Sequence, residues 1–219
     1  MKPKPPRSLV ARSLSLVLVA ATAVVGLLVG GSAAVAKSPH VVDPASVQPA
    51  LNPDFAPWSC FRTGQGIICQ GSYEDSWENE LFGQCDGRDV YVSGSASEHM
   101  TRWHTSDGLA TKTIVHLNYP ADTFSFSATG DDPGLVIRGH WNRHYTYPDP
   151  GDPTTRVLTE VGAIYLATSP GQGIVVHDAG KVTFEPGGDY EEVAIMRGVH
   201  DFYSDIATAE DRLICGNLS

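Results

Sequence analysis

From Trp58 onward, apolar and polar residues alternate with a period of two, the period of a half-buried strand and not of a helix. Residues 89–95 turn Val90 and Val92 one way and Tyr91 the other. Residues 111–119 set Ile114, His116 and Asn118 against Val115, Leu117 and Tyr119, and residues 123–129 place Phe124 and Phe126 together. The longest run, 135–147, gathers Ile137, Trp141, Tyr145 and Tyr147 on one face and Arg138, His140, Asn142 and His144 on the other. Further strands are predicted at 157–167, 173–177, 181–185 and 191–197. Turn-forming residues separate the runs: Asp107-Gly108, Pro120-Ala121-Asp122, the Gly and Pro clusters at 130–134 and 148–153, Ser169-Pro170-Gly171, Ala179-Gly180 and Pro186-Gly187-Gly188. Only residues 207–213, with Thr208 as a cap and Asp211 three positions on, have the makings of a short helix. Short connections favour pairing between consecutive strands. The prediction is an all-β, single-domain antiparallel meander over residues 58–219, forming a barrel or a sandwich.

Two N-terminal segments lie outside this pattern. Residues 1–36 read as a signal peptide: Lys2, Lys4, Arg7 and Arg12 precede an apolar run over 14–29, and Ala34-Val35-Ala36 has the small-x-small form of a cleavage site. An uncleaved membrane anchor is the alternative, but Gly26, Gly30, Gly31 and Ser32 interrupt the apolar run that a spanning helix needs. Residues 37–57 hold five prolines and little periodicity, and are read as an irregular, extended arm.

The leader also changes the charge. It holds four of the 15 basic residues and none of the 25 acidic ones, so the formal charge of −10 on the full chain becomes −14 on the exported part. Such a surface repels phosphate backbones, which argues against nucleic acid as a partner. With the leader removed, no membrane contact is expected, and the protein is placed outside the cell.

All four cysteines follow the leader, and an even number in an exported chain points to disulfides. A two-residue turn at Gly64-Gln65 would pair Thr63 with Gly66 and Arg62 with Ile67, which carries Cys60 directly opposite Cys69. Cys85 is then left for Cys215.

Eight histidines invite a metal reading. His140 and His144 share a strand face but stand about 13 Å apart along it, too far to ligate one zinc ion. His116 or His99 on a neighbouring strand could approach one of them, but the chain has no metal-ligand spacing, and neither a metal nor a cofactor is expected. His177-Asp178 and His200-Asp201 put imidazole and carboxylate on opposite sides of a strand, and no G-x-S-x-G elbow supplies a nucleophile. The carboxylates of 74–80, 131–132 and 149–152 offer ligands for Ca²⁺ or a pair for glycoside hydrolysis. They match no Ca²⁺ motif and read as solvated turns and edges. The aromatics are more informative: Trp77, Trp103, Trp141, Tyr119, Tyr145 and Tyr147 are enough to line a groove or cavity.

The C-terminal third carries a recognisable set of residues: Pro170, Gly171 and Gly173, then His177, Asp178 and Gly180, then Gly198, His200 and Asp201, and finally Cys215. This PG-x-G, H-D-x-G, G-x-H-D and terminal Cys order resembles a group of uncharacterised secreted proteins of actinobacteria. The resemblance implies export, β-rich structure and a disulfide-bonded C-terminus. The group carries no activity to transfer, and so no catalytic residues.

The expectation is therefore a non-catalytic extracellular or cell-envelope protein that binds a small ligand, glycan or protein. Trp103, His116, His140, Trp141, His144 and Tyr145 are the residues best placed to do so. Two rivals are a hydrolase or lyase using histidine and carboxylate groups, and a purely structural surface protein. The enzyme requires several of the histidines to converge on a carboxylate in a pocket.

Overall fold

The computed structural model describes residues 40–131, 134–187, 193–203 and 211–218. The leader, and the first part of the short helix predicted at 207–213, lie outside them. Nine strands follow one another along the chain: β1 (His40–Val41), β2 (Ser59–Thr63), β3 (Gly66–Cys85), β4 (Arg88–His104), β5 (Ala110–Ser125), β6 (Leu135–Thr146), β7 (Val157–Ser169), β8 (Gly173–Phe184) and β9 (Val193–His200). They form one antiparallel sheet in sequential order, with β1 and β9 as its edges. The protein is an all-β meander. A helical turn at Asp211–Cys215 follows the sheet.

Two predicted turns are instead bends inside strands. Pro120-Ala121-Asp122 lies within β5, where the register against β6 slips between Tyr119 and Asp122. Its proline needs no ladder partner at a bulge, so the strand continues. Ala179-Gly180 lies within β8, which unites the segments 173–177 and 181–185. Here glycine serves close packing: Gly162, Gly180 and Gly198 face one another across β7, β8 and β9. Gly180 has φ +144°, and a Cβ on it would lie 2.2 Å from the Arg197 carbonyl oxygen. The backbone comes too close there for any side chain.

Register slips occur in five successive pairings, at Trp77/Glu80, Ser93/Ser97, Tyr119/Asp122, Arg138/His140 and Ala163/Tyr165. They form a line across the sheet and divide its inner face into two cores. One holds Val90, Phe124, Leu135, Ala167 and Val176, closed by Leu213, Ile214 and Leu218. The other holds Leu117, Trp141, Ile164, Val182 and Phe184, with Phe55 and Tyr203. Each fully buried aliphatic or aromatic side chain contributes about 1.5–3 kcal/mol.

Both disulfides are as predicted. Cys60 sits directly opposite Cys69 beside the Gly64-Gln65 turn, with Cα atoms 4.1 Å apart. Cys85 is bonded to Cys215, which ties the helical turn to the end of β3. The proline-rich arm is irregular and anchored. Its 3₁₀ turns at Pro44–Ser46 and Pro53–Phe55 are capped by Asp43 and Asn52, and Val42, Val47 and Phe55 are buried against the sheet.

Candidate functional site

The inner face contains a cavity where the two cores meet. It has a volume of about 350 Å³ and apolar walls that include Phe82, Phe124, Val176, Phe202 and Ile214. A second space of about 180 Å³ adjoins it, lined by Tyr119, Gly139, Trp141 and Arg143. Asp122, Ile137 and Tyr165 belong to the walls of both. The origin of the space is local. Asp122, Gly139 and Tyr165 lie at consecutive register slips, where facing strands step out of alignment. Gly139 offers no side chain to fill the step. Aromatic contacts hold the rim, with Phe82 edge-on to Phe124 at 5.1 Å and Tyr165 against Phe202 at 4.5 Å between ring centroids.

The polar groups of this face fall into three sets. Glu160 is fully buried and accepts hydrogen bonds from Trp141 Nε1 at 3.2 Å, Arg143 Nε at 2.6 Å and the Tyr203 hydroxyl. Burial, reinforced by the Glu160 charge, pushes the Tyr203 hydroxyl far above its ordinary pKa, so it remains a donor. Tyr119 donates to Glu98 at 3.1 Å and is raised in the same way, by burial first and Glu98 second. Asp178 and His200 form the second set, bonded at 2.9 Å between Oδ1 and Nδ1 with both side chains buried. The other ring nitrogen faces the Arg197 carbonyl at 3.0 Å, and Asp178 Oδ2 accepts from the backbone N–H groups of Phe202 and Tyr203. Both ring nitrogens therefore face acceptors, and neither is directed at open space for proton transfer. The pair fastens the end of β9 to β8.

Asp122 is the third set. Its carboxylate has no hydrogen-bond partner on Oδ1, and burial pushes its pKa from 3.8 up to about 6.

The residues singled out from the sequence divide between the two faces. Trp141 and Tyr145 are on the inner face, where Trp141 is buried and stacks on Tyr119 at 5.3 Å. Trp103, His116, His140 and His144 are on the outer face. There Trp103 lies under the Lys112 ammonium at 5.3 Å. His99 accepts or donates to the Ser72 hydroxyl at 3.0 Å and stacks on His116 at 6.4 Å, and His116 bonds Asn142. The His144 pKa is lowered, chiefly by burial and then by Lys112 and His116. This outer array adjoins a shallow polar depression of about 230 Å³ lined by Glu74, Glu98, His99, His116 and His140. No group of three or more His, Cys, Asp or Glu side chains among the described residues is placed to hold a metal ion. No helix among them is long and apolar enough to cross a membrane.

Sequence reading missed Asp122, because Pro120 marked it as part of a turn. The usable signal was the alternation Asp122, Phe124, Phe126, which places the acid on the apolar face of a strand.

Fold and cavity together define a class: an antiparallel meander with a largely apolar space on its inner face, bordered by Asp122. No protein-family model matches the chain, and no curated protein or solved structure matches it.

Proposed function

We propose that this is a non-catalytic extracellular or cell-envelope protein that binds a small, largely apolar ligand in the cavity between its two cores. The observation that carries the reading is the cavity of about 350 Å³, walled by aromatic and aliphatic side chains. Ligand pockets of this size and lining are typical of small-molecule sites. Export is supported by the N-terminal leader and by two disulfides, which persist in oxidising compartments. A hydrolase or lyase is less well supported: His99, His116 and His140 lie on the outer face, and His200 is engaged at both nitrogens.

The test uses N-phenyl-1-naphthylamine, an apolar fluorophore that brightens when it leaves water. Saturable binding near one per chain is expected, with loss in Ile137→Trp, which fills the cavity. Ala167→Leu, a smaller filler, provides the same comparison where the larger substitution disturbs folding. Absence of saturable binding, or binding that both fillers leave unchanged, overturns the reading.

A further inference from the structure

β9 (Val193–His200) is one edge of the sheet, and its composition is that of an interior strand. Ile195, Met196 and Val199 are 47%, 43% and 51% exposed. They do not share a face. Ile195 and Val199 stand in register with Thr183 and Ala179, whereas Met196 stands in register with Val182, which is fully buried in the inner core. Met196 is therefore on the inner face, and Ile195 and Val199 are on the outer one. A strand with apolar side chains on both faces belongs inside a sheet, with a neighbour on each side. Among the described residues β9 has one neighbour, β8.

Sheet edges are ordinarily blunted by proline, by lysine or by shortness. The opposite edge follows that rule: β1 has two residues and is followed closely by the 3₁₀ turn at Pro44–Ser46. β9 has eight residues, no proline and one fixed charge, on Arg197. This difference selects the occupant. A second copy offering β1 can pair two residues, whereas a second copy offering β9 pairs nearly the whole edge. A two-fold contact of that kind also closes on itself and does not propagate.

We propose that β9 joins β9 of a second copy, antiparallel about a two-fold axis normal to the sheet, so that one sheet runs through both chains. Such an axis sets inner face beside inner face, so only residues that face the same way are opposed. Arg197 fixes the register. With Arg197 on the axis, two guanidinium groups face each other, which is destabilising. With Met196 on the axis, residues 193–199 of each strand are paired: Met196 meets Met196, Ile195 meets Arg197, and Val193 meets Val199. No like charges are then directly opposed. The backbone groups on the free side of β9 gain hydrogen-bond partners, and the apolar side chains of both faces gain neighbours. This interface is independent of the cavity reading.

The test is sedimentation of the exported chain at roughly 200 µM, above the dissociation constant of a small specific contact. A monomer–dimer equilibrium is expected. Ile195→Lys opposes a second cation to Arg197 twice per dimer and is expected to weaken association on the order of 10-fold. Adding Arg197→Glu is expected to restore it. Both positions are exposed, and a melting curve confirms that the variants are folded. Under mild oxidation Met196→Cys is expected to link two copies through a disulfide, since directly opposed Cα atoms stand about 4.5–5.5 Å apart, and Val199→Cys is expected not to. A chain that stays monomeric or forms larger assemblies overturns the proposal. So does a dimer that Ile195→Lys leaves unchanged or Arg197→Glu fails to restore, a link at Val199→Cys, or none at Met196→Cys.

Discussion

Asp122 is expected to lower the stability of the protein it serves, and the effect has a definite pH signature. Burial raises its pKa from 3.8 to about 6, so the folded chain holds this proton more tightly than the unfolded chain. The associated stability is fully present below about pH 4 and is lost as the pH rises through about 6. Two pKa units correspond to roughly 3 kcal/mol at full weight. The side chain is only partly buried and borders a space open to water, so solvent screening reduces this to about 1–2 kcal/mol. Asp122→Asn removes the charge with little change of shape. In a chain of this length 1 kcal/mol moves the melting temperature by about 2–4 °C. Differential scanning calorimetry should therefore find equal melting temperatures for the two proteins at pH 3.5, and the Asn variant higher by about 3–6 °C at pH 8. Among the described residues Tyr119, Tyr165 and Arg143 also line the adjoining walls, and burial raises the Tyr119 hydroxyl away from this interval. An Asn variant that melts lower at pH 8, or a gap of the same size at both pH values, would refute the assignment of Asp122 as a desolvated acid.

Three further outcomes test the structure elsewhere. His104 is buried, and burial followed by the Arg102 charge pushes its pKa down to about 4. Its contribution has the opposite sign: it is present above about pH 6.5 and lost as the pH falls toward 4, so His104→Phe should reduce acid destabilisation over that range by on the order of 2 kcal/mol in urea titrations. Reducing the two disulfides separately should give unequal losses. Cys85→Ser with Cys215→Ser opens a separation of 130 residues and should cost about 5 kcal/mol, against about 2.5–3 kcal/mol for the nine-residue separation of Cys60 and Cys69, measured by guanidinium unfolding. Gly180→Ala drives a Cβ to 2.2 Å from the Arg197 carbonyl oxygen and should cost at least about 2 kcal/mol, with faster amide exchange confined first to the β8–β9 pairing.

Much of the fold is legible along the chain because it depends on a period of two and on short turns. The alternation in 135–147 places Trp141 and Tyr145 on the inner face and His140 and His144 on the other, which is how β6 lies. The Gly64-Gln65 turn fixes the pairing of its neighbours, and the Cys60–Cys69 disulfide follows from counting outward. These are properties of neighbouring residues, and no distant contact is needed to set them.

The candidate site is a different kind of feature. Pro120-Ala121-Asp122 and Ala179-Gly180 have turn compositions, but a turn and a bulge use the same residues, and the adjacent strand decides between them. Because β6 continues past the slip at Asp122, β5 bends without ending, and Asp122 becomes part of a strand wall. The cavity lies where three such slips, at Asp122, Gly139 and Tyr165, fall side by side across β5, β6 and β7, a coincidence of registers that no single strand encodes. The same holds for the outer histidines: His99 and His116 become neighbours only through the pairing of β4 with β5. The sequence by itself determined the strands, their faces and their disulfides, since each is a local consequence of alternation and turn chemistry. Only the tertiary structure decided where the strands step out of register, and with that where the cavity lies and that Asp122 sits in a strand wall instead of a turn.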